Sequence, residues 1–242
     1  MLGLGNGIGN YSDVWKPTDI SAHLLWYSTI NGDNNMTFSS GTKVSKWLDL
    51  SGNSNDAEQS TAGKQPDYTV ATASVDFDET GGSSVDDYMV LTTQLTLDTS
   101  DTGWTVAANY TSLDWNGSSQ AIVGDKDNSN NFIRHTSGGD VFLIKVGGNS
   151  NNITLNEALV DSQFYSIIIT CDTGGNLTMY VDGTAQADTE NCSTNDLTID
   201  QICARANSNT LGGKVRDILV YKQALSETDI ALLNGFLVCR GF

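Results

Sequence analysis

The sequence predicts an all-β protein, an antiparallel two-sheet sandwich with one short C-terminal helix. Short apolar runs of strand length recur along the 242 residues, and clusters of Gly, Asn, Asp, Ser and Thr separate them. The chain contains 24 Gly and only 2 Pro, a composition typical of many short strands joined by turns. Helical periodicity is confined to the C-terminal end.

The apolar runs define the predicted strands. They cover residues 23–27, 75–77, 88–91, 104–108, 121–123, 141–144, 164–171, 177–181 and 215–221. Because no helix-length pattern separates these runs, their spacing favours an antiparallel sandwich or barrel.

A β-hairpin is predicted over residues 164–183. The sequence Gly174-Gly175 separates two apolar runs, and Asp182-Gly183 ends the second run. Glycine supplies the positive φ that tight hairpin turns require, so this pair of strands is expected to be directly joined.

The only predicted helix begins near the C-terminus. Ser226 has the character of an N-cap, and Asp229 three positions later completes a variant of the capping box. Ile230, Leu233 and Leu237 then fall on one helical face. We therefore expect a single short helix packed against a sheet.

The N-terminal segment differs from the rest of the chain. Residues 1–16 are Gly-rich, with Leu2, Leu4 and Ile8 spaced between glycines. Such a segment has too little side chain to form a core, but it suits an extended strand laid on another surface. We expect an arm that anchors the protein to a partner chain, followed by a sandwich domain over residues 17–242.

The charge excludes two classes of partner. Twelve Lys and Arg against 29 Asp and Glu leave a net charge of −17. Nucleic-acid binding needs a basic stripe, and anionic membrane surfaces repel such a protein, so neither partner is expected. No apolar run approaches the roughly 20 residues needed to span a bilayer.

The N-terminal sequence and the cysteines indicate synthesis in the cytoplasm. The first residues lack the basic region and the compact apolar region of a signal peptide. Cytosolic thiols stay reduced, and the four cysteines show no C-x-x-C spacing, so they do not form a zinc motif. The cysteines are Cys171, Cys192, Cys203 and Cys239.

Three segments of the chain resemble laminin G-like, concanavalin A-type jelly rolls. The first joins residues 16–27 to 44–57 and contains the turn Trp47-Leu48-Asp49-Leu50-Ser51-Gly52-Asn53-Ser54-Asn55-Asp56-Ala57. The second is the hairpin at 164–183, and the third is the closing strand at 211–221 with the helix start at Ser226. The resemblance implies a jelly-roll sandwich. Asp49 and Asn53 then fit turn-building roles better than ligand binding.

The superfamily that the chain resembles contains enzymes as well as binding proteins. An enzyme of this kind needs catalytic carboxylates in a defined arrangement. Its retaining glucanases carry E-x-D-x-x-E on one strand, which places two carboxyl groups about 5 Å apart. This chain has five scattered glutamates: Glu58, Glu79, Glu157, Glu190 and Glu227. No catalytic residues are assigned, and the sequence favours a protein that is not an enzyme.

One loop has the composition of a calcium site. Asp125, Asp127 and Asn128 offer oxygen atoms at short spacing, although the loop lacks the Gly and the terminal Glu of an EF-hand. Resemblance to laminin G-like and pentraxin-like domains favours calcium at the rim of the sandwich. Simple strand-connecting Asp residues are the alternative and the preferred interpretation, so no cofactor is expected.

The candidates for glycan binding lie in two polar loops. Trp115 and Asn116 occupy a turn rather than a strand, and Asn151 lies in a second Asn-rich segment. An exposed Trp115 ring would stack on a sugar, whereas a buried ring would cap the core from its loop. The sequence leaves these two alternatives open.

The chain also resembles the stand-alone laminin G-like proteins of tailed bacteriophage particles. That resemblance implies a virion structural protein, displayed at the virion surface as a capsid decoration, tail or fibre component. Its expected partners are other virion proteins and further copies of itself. A carbohydrate-binding module that recognises host polysaccharide is the alternative, and the two roles are compatible in one molecule. A polysaccharide-cleaving enzyme is disfavoured by the missing carboxylate motif.

Overall fold

Antiparallel strands make up most of the ordered structure. The computed structural model describes residues 15–77, 87–115 and 117–239. The strands are β1 (His23–Ser28), β2 (Met36–Ser40), β3 (Lys43–Trp47), β4 (Ala57–Glu58), β5 (Asp67–Thr69), β6 (Ser74–Asp76), β7 (Met89–Leu97), β8 (Trp104–Ser112), β9 (Gln120–Gly124), β10 (Phe132–His135), β11 (Val141–Val146), β12 (Asn149–Thr154), β13 (Tyr165–Cys171), β14 (Asn176–Val181), β15 (Thr184–Ala185), β16 (Glu190–Asn191), β17 (Leu197–Ile202) and β18 (Gly213–Tyr221). One α-helix, α1 (Glu227–Val238), follows the last strand. The predicted mostly-β fold is confirmed.

The strands form two facing layers. One layer has the order β1-β18-β8-β13-β14, and the other has the order β7-β17-β9-β10-β11-β12. The short strands β2 to β6 connect the two layers at one side. Every pairing between these strands is antiparallel, as a sandwich requires.

The main core lies between the two layers. Trp47 is fully buried there, and its ring stacks on Tyr27 with centroids 5.5 Å apart. The Trp47 indole Nε1 donates a 3.2 Å hydrogen bond to the Ser28 carbonyl oxygen, which satisfies its only polar atom. Trp47 therefore belongs to the core of the sandwich.

A second apolar cluster lies on the outer face of the first layer. Ile168 is fully buried, but it packs with Leu219 and the helix residue Leu233 instead of between the layers. Ile168 is thus buried between the first layer and α1 and not between the two layers. Side chains alternate along a strand, so Ile167 and Ile169 point inward while Ile168 points outward and is covered by α1.

The C-terminal helix matches its prediction. Ser226 is the N-cap, and its Oγ accepts the backbone N–H of Asp229 at 3.2 Å. Ile230, Leu233 and Leu237 are the buried residues of α1. The predicted hairpin is also present as β13 and β14, which pair in antiparallel register.

Nine strands had no counterpart among the predicted apolar runs. Each contains polar or charged residues within its span, and they are β2, β3, β4, β5, β10, β12, β15, β16 and β17. In β12 only Asn151 and Ile153 are buried, so the strand is polar on its outer face and weakly apolar on its inner face. Apolar runs alone do not reveal such edge or half-polar strands.

The expected N-terminal arm lies almost entirely outside the described residues. Trp15 is the first described residue, and its ring contacts Phe236 of α1 at a centroid distance of 6.3 Å. The anchoring role of Leu2, Leu4 and Ile8 therefore stays a prediction. Within residues 15–77, 87–115 and 117–239, no helix has the length and apolar character to cross a membrane.

Candidate functional site

The Trp-x-Asp turn is a hydrogen-bonded scaffold. Asp49 Oδ1 accepts the backbone N–H of Trp26 at 3.0 Å and of Ser51 at 2.9 Å. Its Oδ2 accepts the Ser51 hydroxyl at 2.7 Å and the Asn55 N–H at 3.1 Å. The Asn53 amide donates to the Leu24 carbonyl oxygen at 3.0 Å. These side chains build the turn and fasten it to β1, which agrees with the structural role favoured from the sequence.

The candidate glycan-binding aromatic ring is buried. Trp115 has no exposed surface, and its ring contacts His135 at 4.6 Å and Tyr110 at 5.2 Å between centroids. The Trp115 backbone N–H donates to Asp161 Oδ1 at 2.8 Å, which fixes the loop over the core. Of the two alternatives, the ring caps the core and is unavailable for stacking on a sugar.

Asn151, a second candidate for glycan binding, is buried as well. Asn151 is 3% exposed, and its side-chain amide donates to the Ile144 carbonyl oxygen at 3.1 Å and to that of Asn149 at 3.2 Å. Asn151 therefore holds the β11–β12 pair together. Asn116 lies outside the described residues.

His135 is a buried titratable group beside Trp115. Burial lowers the pKa of His135 to about 4, and the weak 3.4 Å contact of its Nδ1 with the Thr136 carbonyl oxygen offsets this only in part. Its Nε2 has no hydrogen-bond partner. A neutral imidazole in this position packs against the rings of Trp115 and Phe142.

The candidate calcium residues are already hydrogen-bonded to each other. Asp125 is buried, and its carboxylate accepts the Asp127 N–H at 2.9 Å, the Asn128 amide at 2.8 Å and the Thr198 hydroxyl at 2.8 Å. Asn128 Oδ1 accepts the Asn130 N–H at 2.8 Å. Both side chains thus direct their polar atoms toward the protein itself.

Lysine takes the position that a cation would need. Asp125, Asp127 and Asp200 bring carboxylate oxygens within 4.8 Å of one another. The Lys126 ammonium lies 2.9 Å from Asp127 Oδ2 and 2.9 Å from Asp200 Oδ2. The hydrogen bond to Asp200, followed by that to Asp127, raises the pKa of Lys126. A calcium ion at this cluster would have to displace the ammonium. Asp200 follows 73 positions after Asp127 in the chain, so no local sequence pattern joins it to the cluster.

A buried polar row crosses the outer face of the first layer. Ser28, Asp217, Asn109 and Ser166 lie opposite one another on β1, β18, β8 and β13, and all four are buried. The Ser166 N–H donates to Asp182 Oδ1 at 2.8 Å. In the sequence, these four residues are polar positions within largely apolar strands, and no local motif links them.

The four glutamates that the structure describes lie on or beside different elements. Glu58 of β4 forms an ion pair with Lys46 at 2.6 Å, and Glu227 begins α1. Glu190 belongs to β16, and Glu157 lies in the loop before β13. Within the described parts of the chain, no strand carries two glutamates.

Two arginines share one aromatic ring at the end of the second layer. The guanidinium carbon of Arg205 lies 4.5 Å from the centroid of the Phe132 ring, and that of Arg134 lies 5.2 Å from it. Arg134 belongs to β10, while Arg205 belongs to the loop that follows β17. The sequence analysis did not identify this pair, because its members are distant in the chain and form no motif.

The loop that carries Arg205 has an unusual backbone. Cys203, Ala206, Asn207 and Asn209 all have positive φ. Such conformations cost energy for residues other than glycine and persist where surrounding contacts enforce them. Here Gln201 Oε1 accepts the Asn207 N–H at 3.1 Å, and Gln201 Nε2 donates to Asn207 Oδ1 at 2.9 Å. The loop is thereby held in one shape, with Arg205 against Phe132.

The fold and these sites define a lectin-like antiparallel sandwich. The family profile of the concanavalin A-like lectin/glucanases superfamily, laminin G type, matches residues 81–231. The chain belongs to this superfamily. No curated protein sequence matches the chain significantly.

Solved structures share the fold at low sequence identity. Trypanosoma rangeli sialidase superposes with a TM-score of 0.58 and 12% identity, over 97% of this chain and 36% of the sialidase. The botulinum neurotoxin serotype D binding domain, in complex with N-acetylneuraminic acid, superposes with a TM-score of 0.59 and 12% identity. That match covers 89% of this chain and 51% of the toxin domain.

A related toxin domain gives a similar result. The binding domain of botulinum neurotoxin DC, in complex with SialylT, has a TM-score of 0.57 and 18% identity over 91% of this chain and 52% of the domain. The chain therefore spans about a third of the sialidase and about half of the toxin binding domains. At these identities the likeness shows the fold alone.

Proposed function

We propose that the protein is a non-catalytic virion structural component whose lectin-like sandwich is displayed outward and binds carbohydrate. The observation that carries the proposal is a lectin-superfamily sandwich with scattered glutamates. Host surface polysaccharide is the proposed ligand, and other virion proteins and further copies of this chain are the proposed partners.

The carbohydrate-binding part is supported by the structural neighbours. Two toxin binding domains with the same fold were solved with sialic-acid-containing ligands. Both superpose over about nine-tenths of this chain. Proteins that share this sandwich fold need not share a binding site. The ligand of this chain therefore depends on its own side chains.

The non-catalytic part is supported by the ion pairs that acidic groups form with lysines. Retaining glycoside hydrolysis requires two carboxyl groups about 5 Å apart, one of them protonated and one ionised. Glu58 is neutralised by Lys46, and Asp200 by Lys126. The carboxylate cluster of Asp125, Asp127 and Asp200, found among the described residues, is thus held by the Lys126 ammonium.

The virion part rests on the resemblance to laminin G-like proteins of tailed bacteriophages and on the Gly-rich arm at residues 1–16. Such a protein is made in the host cytoplasm, assembles there and reaches the exterior by lysis. A net charge of −17 suits a surface protein that must remain soluble at high local concentration.

Three measurements test the parts of this proposal separately. Mass spectrometry of purified particles should detect the protein, with hundreds of copies for a decoration protein and few for a tail or fibre protein. A glycan array should show binding to a defined set of polysaccharides. Incubation with β-glucans and bacterial exopolysaccharides should release no reducing ends. Turnover that is abolished by replacing one Asp or Glu would contradict the non-catalytic role.

A further inference from the structure

Arg134 and Arg205 form an unneutralised cationic pair on an acidic protein. Neither guanidinium forms an ion pair with a carboxylate among the described residues, although the chain has 29 Asp and Glu. Both Nε atoms are buried without a hydrogen-bond partner. The one side-chain hydrogen bond of the pair joins Arg134 Nη1 to Asn209 Oδ1 at 3.4 Å.

The surroundings keep the two cations together. Phe132 lies against both guanidinium groups, and the backbone of Gly124 approaches Arg205 so closely that a Cβ at Gly124 would lie 2.6 Å from the Arg205 Cβ. Burial, and then the charge of Arg205, lowers the pKa of Arg134, and burial also lowers the pKa of Arg205. Two like charges are thus held side by side at an electrostatic cost.

An anion between the guanidinium groups would remove this cost. Arginine offers a planar fork of N–H donors that matches a carboxylate in bidentate geometry. The pair is preorganised, because the ring of Phe132 and the rigid loop after β17 restrict both side chains. Binding to a preorganised pair needs little further ordering.

We propose that Arg134 and Arg205 bind the carboxylate of an acidic sugar residue, such as a sialic or uronic acid, within a glycan. The inference rests on the proposed carbohydrate-binding function and names its substrate class. Phe132 contacts both guanidinium groups, and the proposal places the ligand carboxylate at their N–H donors.

The overall charge selects sparsely charged glycans over dense polyanions. With a net charge of −17, the protein repels a sulfated or phosphorylated polymer along most of its surface. At physiological salt, charges further away than about 8 Å are largely screened. A single carboxylate on an otherwise neutral glycan therefore gains the local attraction of the two arginines and avoids most of the repulsion.

The test compares matched ligands on the full-length protein by titration calorimetry and ligand-observed NMR. The probes are 3′-sialyllactose and cellobiouronic acid, with lactose, cellobiose and the methyl ester of 3′-sialyllactose as neutral counterparts. We expect at least one acidic probe to bind at least ten-fold more tightly than its neutral counterparts. Sodium sulfate at equal concentration should not compete at the same level.

Variants assign the effect to the arginine pair. R134Q and R205Q should each weaken binding of the acidic probe at least ten-fold. R205K should weaken it less, because lysine keeps the positive charge but lacks the planar set of N–H donors. K222Q is the matched control, since it removes one positive charge near Asp101 on a different surface. Thermal unfolding midpoints identify any variant that fails to fold, and R205K then provides the decisive comparison.

The possible outcomes distinguish failure of the arginine site from failure of the proposed carbohydrate-binding function. Equal binding of acidic and neutral probes, or unchanged binding in R134Q and R205Q, would overturn the arginine site and leave carbohydrate binding intact. Equal competition by sulfate would show a free-anion site and would also overturn the inference. Absence of all binding on a broad glycan array would overturn the proposed function together with the site.

Discussion

Trp47 and Ile168 belong to different apolar clusters and should contribute independently to stability. Trp47 packs between the layers, and Ile168 packs under α1. Replacement of a buried Trp by Ala costs about 3–5 kcal/mol, and of a buried Ile about 2–5 kcal/mol. We expect W47A and I168A to lower the free energy of unfolding by these amounts, measured by urea denaturation. The exposed Val70 provides the control, and V70A should leave the midpoint unchanged.

The double variant checks that the two clusters are separate. Residues that share no contacts have additive effects within roughly 0.5 kcal/mol. W47A with I168A should therefore lose the sum of the single losses. An unchanged midpoint in either single variant would contradict the strand registers.

His135 should make the protein less stable in acid. Its native pKa is about 4, below the ordinary value of 6.5, so the unfolded chain takes up a proton at a pH where the native protein does not. The stabilisation is complete above pH 6.5 and is lost as the pH falls toward 4. The loss is about 3 kcal/mol, since one pKa unit corresponds to about 1.4 kcal/mol.

The difference between wild type and H135F isolates this effect. The variant keeps an aromatic ring beside Trp115 and removes the titration. We expect the wild type to lose about 3 kcal/mol relative to H135F between pH 7 and pH 4, measured by denaturation at several pH values. Parallel pH curves for the two proteins would show that His135 is protonated normally in the fold.

Cys171 and Cys192 should form a disulfide when an oxidant is supplied. Their Sγ atoms are 3.3 Å apart, both side chains are buried, and the residues are 21 positions apart. The hydrogen bond between the two thiols lowers the pKa of Cys192 and, together with burial, raises the pKa of Cys171. Cys192 is therefore the more readily ionised of the two.

Diamide supplies the oxidant for this test. It accepts the two electrons and two protons released as the S–S bond forms, and is itself reduced to the hydrazine. We expect a mass loss of about 2 Da and a gain in stability of about 3 kcal/mol, as expected for a loop of this length. C203S should behave like wild type, whereas persistence of the mass loss in C192S would assign the bond to another pair.

At the scale of elements, the turn between β13 and β14 depends on one of its two glycines. Gly175 has a φ of +81°, and a Cβ there would lie 2.1 Å from the Ser193 carbonyl oxygen. Gly174 lacks a positive φ, and a Cβ there would meet only side-chain atoms of Asp172 and Asn176 at 3.2 Å. G175A should lose about 2–4 kcal/mol from the left-handed conformation and the clash, and G174A less than about 1 kcal/mol. Equal losses in thermal or chemical denaturation would refute this asymmetry.

Sequence patterns predicted the strands and the helix whose local sequence signals agree with their tertiary packing. The 164–183 hairpin and the helix after Ser226 were found because Gly-Gly turns and N-caps are local features. Residues 167–169 were predicted as a strand. The burial of this strand on both of its faces depends on α1, which lies far along the chain. The half-polar strand β12 gave no apolar run, since its stability comes from pairing with β11.

At the scale of the whole molecule, the sites were the least predictable part. Lys126 forms ion pairs with both Asp127 and Asp200. Phe132 contacts the guanidinium groups of Arg134 and Arg205. Both sets of residues come together only when strands β9, β10 and β17 are assembled. Trp115 occupies a turn in the sequence, but the fold places that turn over the core. The type of loop was predictable, whereas the direction of its side chains was set by distant strands.

Residues 1–16 should anchor the whole molecule to a partner chain. Leu2, Leu4 and Ile8 are apolar residues among glycines, and ordering such a segment costs roughly 1–2 kcal/mol per residue. Strand addition to the sheet edge of a partner would offset this cost through main-chain hydrogen bonds. The competing account is that the segment packs on its own sandwich, where an apolar groove of about 740 Å³ begins at Trp15 and is lined by Trp26 and Phe236.

Deletion of residues 2–10 decides between these accounts. If the segment binds a partner, the shortened protein should keep its thermal unfolding midpoint and lose incorporation into the particle, measured by mass spectrometry of purified virions. A triple replacement of Leu2, Leu4 and Ile8 by Ser keeps the length and should give the same result, because it removes only the apolar contacts. A shortened protein that unfolds several degrees lower but still assembles would show that the segment completes its own sandwich.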